Sequence, residues 1–401
     1  MRIRYEDAKT HALVLAIVGW LFVILSVGLG STNRSRFGPL KWTDFVHFYT
    51  LGDIARSRDA ALLYDANAQH VRQVALVPES GENRYLPVYG PQVSLIFAPF
   101  SRAPYLVAGL LWGAVSLAIY LTAVWMAWRP SRRVLGDTVF LAAGVMAFPP
   151  LWQLVSYGQT TAVPLVAFAA GWLFSESNRR VLAGFALGLL AVKPQHGLVL
   201  AAVMLWSREW RMIIGIVLSI ACQIAGASAW FGWAAWRDYA LTISRLPAMV
   251  SALEPDDYKL HSLRAITGLL PDRWDLILWL ATSAFVVAIT IAMWRRRDLP
   301  VRIRFGVLVL STALVSPHLT IYDVSLLALP VVWIGGWLLE QHADSTWFWQ
   351  RVYWLTAALL VPTAAFVKVQ LSVLILLDVF VRLAFRLRES ASREPLASGG
   401  A

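Results

Sequence analysis

Long apolar runs alternate with short, mostly basic intervals along almost the whole chain. Residues 12–30 make a first run of about nineteen apolar or small residues, enough to cross a bilayer as one helix. So early a run also fits a signal peptide, with Gly28 and Gly30 near a cleavage position. The multispan remainder favours a retained first span. Residues 31–90 then break the pattern with a polar, aromatic-rich stretch, predicted to be the first loop outside the bilayer. Within it, residues 44–58 put Asp44, His47, Leu51 and Ala55 on one helical face. That spacing predicts an amphipathic helix near the membrane interface, with Thr43 or Asp44 as its N-cap. Tyr85-Leu86-Pro87-Val88-Tyr89-Gly90-Pro91 reads as an extended turn, because each proline disfavours helix at the residue before it. Residues 92–100 are apolar but too short to span, which predicts a second interfacial helix.

Further spans are expected over residues 104–128, 134–152 with a break at Phe148-Pro149-Pro150, and 160–174. Arg129, Arg132, Arg133, Arg179 and Arg180 mark one membrane side. Ser156-Tyr157-Gly158-Gln159 forms a short turn on the other. Residues 181–206 are interrupted by Lys193-Pro194-Gln195-His196. Read as one helix, they would force Arg295-Arg296-Arg297 outside and the aromatic, acidic stretch 231–275 inside, against the charge rule for membrane loops. Two half-helices folded back at Lys193-Pro194 keep every basic loop inside. Each half reaches only roughly 18 Å, so the break sits at membrane depth, where irregular backbone survives only inside protein or beside a cavity. Residues 212–230 lead outward to a second outside loop, 231–275, carrying Glu254, Asp256, Asp257, Lys259, His261 and Arg264. Residues 276–294 return to a strongly basic segment that includes Arg302 and Arg304. Residues 305–315 lead out to Ser316-Pro317-His318 and Asp323, 324–338 return, and 354–367 with 371–385 close the chain as a hairpin around Lys368 and Gln370. The tail is basic from Arg386, and its Ser-, Ala- and Gly-rich part, 389–401, is predicted to be disordered. The fold class expected is an all-α polytopic membrane protein: one domain over residues 1–388, about twelve membrane segments, both termini inside.

Composition agrees with this class. The chain is 58% hydrophobic and holds 20 Trp, a residue that gathers at membrane–water interfaces. The net charge of +11 would suit nucleic acid. The basic residues instead lie in short loops between spans, which orientation in the membrane explains. A single cysteine excludes a disulfide framework, and Cys222 inside an apolar run reads as a packing residue.

Polar groups sort by side. Asp44, His47, Tyr89, Gln159, Lys193, His196, His261, Arg264, His318 and Asp323 fall on or near the outer side. Ionisable groups at membrane depth are costly and point to function. Asp44, a carboxylate beside an apolar face, suits a general base; the competing role is a helix cap. His47, one turn on, would orient it or would sit as an interface histidine. Lys193 at a helix break suits a phosphate as a compact point charge, and His196 and His318 offer further donors. Asp323 reads as a structural partner, and the acids 254–257 as solvated. The chain has no Asp-x-Asp, no phosphate-binding Gly loop, no His-Glu-x-x-His and no Gly-x-Ser-x-Gly. No metal or cofactor is therefore expected. The rival class is a transporter or flippase of a lipid-linked or anionic substrate, since broken helices with intramembrane cations occur there too.

With these residues assembled, the chain resembles glycosyltransferase family 87, a polytopic family of the GT-C type. The likeness runs through Asp44-Phe45, Tyr85-x-Pro87-x-Tyr89-x-Pro91, Pro99, Gly158-Gln159, Ala183-Gly184-x-x-x-Gly188-Leu189-x-x-x-Lys193-Pro194 and Ser316-Pro317-His318. It departs at Leu260-His261-Ser262-Leu263, where the family pattern has an Asn-rich turn before Ser-Leu. The resemblance implies transfer of a hexose, mannose in known members, from a polyprenyl-phosphate sugar donor to an extracytoplasmic lipid or glycan acceptor with inversion. By resemblance, Asp44 is the base, and Lys193 and His318 serve the donor phosphate, with His196 beside them. His47, Tyr89, Gln159, His261 and Arg264 are the remaining expected substrate contacts. The setting implied is the plasma (inner) membrane, with the active site facing outward among membrane lipids.

Overall fold

The computed structural model describes residues 4–253, 257–342, 344–361 and 363–392. Among them the only β feature is a bridge between Arg34 and Leu40; the rest is helix and turn, as the apolar pattern requires. The helices are α1 (Tyr5–Val23), α2 (Phe45–Ser57), α3 (Ala66–Leu76), α4 (Pro91–Phe97), α5 (Tyr105–Trp128), α6 (Thr138–Met146), α7 (Pro149–Tyr157) and α8 (Ala162–Glu176). After them come α9 (Arg180–Leu187), α10 (Leu198–Trp206), α11 (Trp210–Phe231), α12 (Ala234–Ser244), α13 (Leu246–Leu253), α14 (Arg264–Thr267), α15 (Asp272–Arg295) and α16 (Val301–Val315). The chain closes with α17 (Ala328–Glu340), α18 (Thr346–Leu360), α19 (Thr363–Val367) and α20 (Leu371–Ser392).

Among the described residues, five helical stretches are long and apolar enough to cross a membrane: Tyr5–Gly28, Tyr105–Ser131, Trp210–Phe231, Arg273–Arg295 and Asp323–Glu340. α6 and α7 make a sixth when taken together, bent by 50° at the Phe148-Pro149-Pro150 break that the sequence marks. Shorter apolar helices over 162–176, 180–192 and 194–206 complete the apolar set. The protein is thus an all-helical membrane protein.

Three expectations need correction. The helix beginning after Asp44 does not lie on the surface. Ten of the residues of α2, from Phe45 to Ala55, are buried, because α4 covers one side and α5 another. Gly52 allows the first approach, since a Cβ there would strike the backbone of Phe97. Phe48 stacks on Phe97 at 4.9 Å, and Phe97 meets Trp112 of α5 edge-on at 4.7 Å. Such aromatic pairs add about 0.5–1.5 kcal/mol each beyond the area they bury. Second, Cys222 is a free, exposed thiol on α11 rather than a packed residue. Third, the final helix continues to Ser392, beyond the expected start of a disordered tail at residue 389. Glu254 and Asp256, and the side chain of Asp257, lie outside the described residues, as do 393–401.

The interruption at Lys193-Pro194 is a true fold-back. α9 ends in a 3-10 turn, Gly188–Val192, and a second 3-10 turn, Pro194–Gly197, precedes α10. Small residues set the direction of the packing. A Cβ on Gly184 would land on the backbone of Met212, and one on Gly188 on Ser219. Further along, Gln223 donates to the Gly188 carbonyl at 3.0 Å. Later residues of α9 therefore meet later residues of α11, so the two helices run in the same direction. Both must start at one end of the molecule. The chain between them goes out to Lys193 and comes back along α10. Glycine contacts of this kind are the usual way for helices to pack in a bilayer, where apolar burial alone gives no net drive.

The two ends of the bundle differ in chemistry. At one end Arg297 pairs with Glu209 at 2.7 Å, Arg302 pairs with Glu340, and Lys9 pairs with Asp137 at 2.7 Å. The tip of the α9–α10 hairpin lies at the other end, together with the start of α8, the loop after α16 and the loop that carries Asp44.

Candidate active site

Asp44 is presented by a backbone held from three directions. The Tyr105 hydroxyl of α5 donates to the carbonyls of Lys41 and Trp42 at 2.6 and 2.9 Å. The Tyr85 hydroxyl donates to the Thr43 carbonyl, and Asn83 donates to the Thr43 hydroxyl at 3.0 Å. Trp42 has φ +47°, a strained value for a bulky residue. Its buried ring packs against Gly109, where a Cβ would come within 2.6 Å. Such strain persists where the surroundings over-determine it, and it gathers at functional sites.

Asp44 occupies the N-cap position of α2, yet its side chain makes no cap hydrogen bond. Its Oδ2 instead accepts from Gln159 Nε2 at 2.7 Å. Gln159 is carried there by Gly158, which ends α7 in the left-handed region at φ +70°. A Cβ on Gly158 would lie 2.6 Å from the Phe45 Cβ. Two requirements thus fall on one glycine: positive φ and close approach to the residue after Asp44. Burial is the main influence on the Asp44 carboxyl and raises its pKa, while the Gln159 hydrogen bond and the charge of Lys193 oppose it.

Lys193 lies at the hairpin tip in a buried cluster. Its ammonium is 2.7 Å from Asp323 Oδ1, 3.2 Å from Thr161 Oγ1 and 4.8 Å from the centre of the Tyr322 ring. Asp323 Oδ1 also accepts from Thr161 at 2.5 Å, and His196 Nε2 stands 3.4 Å away, at the edge of bonding distance. Asp323 Oδ2 faces the Thr320 amide and hydroxyl at 3.4 and 3.3 Å. A buried ion pair holds only when further hydrogen bonds satisfy it, and this carboxylate has several. Two of the three ammonium protons of Lys193 have oxygen partners here. Both ring nitrogens of buried His196 lack a close partner. Gln92 reaches the Ala191 carbonyl beside the tip at 3.4 Å, and its Oε1 is buried without a partner.

The other expected residues divide. His318 stands close enough for its proton affinity to respond to Asp323, Lys193 and His196, with burial the largest effect, lowering its pKa. Tyr89 packs beside His47, ring centres 5.8 Å apart. His47 does not orient Asp44. Its ring lies on Tyr85 at 5.1 Å, its Nε2 has no partner, and burial pushes its pKa down to about 4. Gln159, expected as a substrate contact, hydrogen-bonds Asp44. His261 bonds Ser372 through Nδ1 at 2.8 Å, and its amide bonds the Leu319 carbonyl at 2.7 Å. It therefore pins the loop after α16 to α20. Arg264 pairs with Asp275 at 2.9 Å, and no described contact joins it to the cluster. The sequence reading missed Thr161, Thr320, Tyr322 and Gln92. Each is a neutral residue whose only signal is being near a named one. No group of three or more His, Cys, Asp or Glu able to hold a metal exists among the described residues.

The geometry is a partly open carboxylate held by an amide, near a buried cation cluster, at one end of a membrane bundle. That pairing suits transfer of a group from a phosphate to a hydroxyl. No curated protein and no solved structure matches the chain. The profile of glycosyltransferase family 87 matches residues 88–317, more than half of the sequence. That stretch holds Tyr89, Gln159, Lys193, His196, His261 and Arg264; it begins after Asp44 and ends one residue before His318. The chain belongs to glycosyltransferase family 87 and is a membrane glycosyltransferase.

Proposed function

We propose that this glycosyltransferase moves a hexose, mannose above all, from a polyprenyl-phosphate carrier to a hydroxyl of a lipid or glycan acceptor outside the cytoplasm, in the plasma (inner) membrane. The observation that carries the reading is the convergence of Asp44, from the first loop, with the Lys193 hairpin tip at the same end of the bundle. A lipid-borne donor presents its phosphate at the membrane surface. The end holding Asp44 and Lys193 is opposite the arginine-rich end, which orientation by charge puts in the cytoplasm.

In this reading Asp44 takes the proton of the acceptor hydroxyl. The acceptor oxygen attacks the anomeric carbon, and the bond from that carbon to the phosphate oxygen breaks. The phosphate leaves with the electron pair and one more negative charge. The remaining Lys193 proton, His318 and His196 are the donors that stabilise this charge. Displacement by a single base gives inversion; retention would need a second carboxylate as nucleophile. Asp323 holds Lys193 and is not free to serve as that nucleophile. Tyr89 and Gln159 line the approach to Asp44, whereas His261 supports the loop that carries His318.

The test is a transfer assay with purified protein and a series of polyprenyl-phosphate sugars, run beside Asp44→Asn. Transfer from one of them that collapses in Asp44→Asn supports the reading. Transfer only from nucleotide sugars, or full activity in the variant, would refute it.

A further inference from the structure

Away from this site, a groove of about 540 Å³ opens between α18 and α20. Its walls are apolar toward one end, with Trp354, Ala358, Val361, Leu371 and Leu374. Trp354, Val361 and Leu374 are about half exposed, so the groove faces outward from the bundle. Toward the other end lie Arg351 and Asp378. Asp378 is shared by two arginines: Arg351 Nε is 2.7 Å from Oδ2, and Arg382 Nε is 2.8 Å from Oδ1. The local charge is therefore +1. Both guanidiniums bond through Nε, so the Nη groups of each have no described partner. A guanidinium fork is the geometry that grips phosphate oxygens two at a time.

Depth agrees with an amphiphile. Arg296 bonds the Leu387 carbonyl and Arg386 bonds the Asp344 carbonyl, so these ends of α18 and α20 lie at the arginine-rich end of the bundle. Arg351 lies five residues in from the start of α18, and Arg382 lies five residues before Leu387, roughly 7.5 Å along a helix in each case. That is the level of a lipid phosphate reached by snorkelling. The apolar half of the groove continues inward from there. Basic pockets between helices on the cytoplasmic side commonly hold anionic headgroups.

We infer that the α18–α20 groove binds one anionic phospholipid of the leaflet at the arginine-rich end, its phosphate on Arg351 and Arg382 and an acyl chain along Trp354, Ala358 and Leu374. The site is independent of the sugar-transfer reading, since it needs only a membrane-embedded chain. A donor lipid fits less well, because its long uncharged chain would run onto the ion pair.

The test uses the full chain in neutral detergent, titrated with mixed micelles of phosphatidylglycerol or phosphatidylcholine of equal chain length. Thermal unfolding and native mass spectrometry are the readouts. Phosphatidylglycerol should bind and raise the melting temperature well beyond phosphatidylcholine. The triple variant Arg351→Gln, Asp378→Asn, Arg382→Gln removes the charges together and leaves none unpaired; it should bind phosphatidylglycerol at least about tenfold more weakly, the loss of one charge-assisted contact. Ala358→Trp, which fills the groove, should reduce uptake of the lipid while keeping the arginines. Equal response to both lipids, or unchanged affinity in both variants, overturns the inference. So does competition by a polyprenyl phosphate, which would assign the groove to the donor chain.

Discussion

At the scale of single residues, Asp44 separates two demands. Its pKa is raised, chiefly by burial. A group whose folded pKa exceeds its unfolded value favours folding at low pH, and that contribution is lost as pH rises through the folded pKa. Above the folded pKa the ionised carboxylate therefore weighs against the fold. Asp44→Asn keeps an acceptor for Gln159 and removes the charge. Thermal unfolding at pH 7 should show equal or higher stability, while turnover falls by about 10²–10⁴, the usual share of a general base. Wild-type activity should decline as pH is lowered through the raised pKa, and the residual activity of Asp44→Asn should lack that limb. His47 is not the source of such a limb near neutrality, because its pKa lies at about 4. For the ion pair the prediction is one of coupling. Asp323→Asn strands the Lys193 charge in a buried place and should cost about 3–5 kcal/mol, whereas the double variant Asp323→Asn, Lys193→Met should cost clearly less. A double-mutant cycle on unfolding midpoints measures this; additive losses would mean that the two groups do not act as a pair. The sequence shows Asp44, Lys193 and His318 because a charge in an apolar setting stands out by itself. It hides Thr161, Thr320 and Tyr322, which matter only through the partner that the fold brings them.

At the scale of elements, the α9–α10 hairpin was readable from charge parity, since only a fold-back keeps the basic loops on one side. What was not readable is how α2 is buried. Its residues include Asp53 and Arg56 along with the apolar ones, so its pattern resembles that of a surface helix. Its cover comes from α4, α5 and α11, distant in sequence; Trp230 of α11, for example, donates to the Ala55 carbonyl at 2.7 Å. Gly184 supplies the test at this scale. A leucine there must push α11 away, because the first added carbon already meets the Met212 backbone. Gly184→Leu should lower stability by about 1–3 kcal/mol, as overpacking does. It should also reduce transfer, since α9 leads through the 3-10 turn Gly188–Val192 to Lys193. Retained stability and activity together would show that the contact is slack.

At the scale of the whole molecule, charge asymmetry predicts sidedness. In a Cys222→Ala background, single cysteines at Arg36 and Lys259 should react with an impermeant reagent from one face of the membrane. Cysteines at Arg133 and Arg297 should react from the other. Labelling of all four from the same face would overturn the topology. The overall class and the grouping of polar residues at one end followed from the sequence, because hydropathy and loop charge are additive along a chain. The number of full spans did not follow, because several apolar stretches are short helices that rely on neighbours rather than on their own length.

The buried pairing of Lys193 with Asp323 also sets a timetable for biosynthesis. The two residues are 130 positions apart. At typical synthesis speeds Asp323 leaves the ribosome between roughly 6 and 26 s after Lys193. Until then the hairpin tip carries a cation without its ion-pair partner, and lipid at that depth is a costly place for it. The hairpin tip therefore gains its ion-pair partner only when the α16–α17 turn arrives. A chain stopped before residue 323 should leave this segment exposed to the membrane-protein degradation machinery.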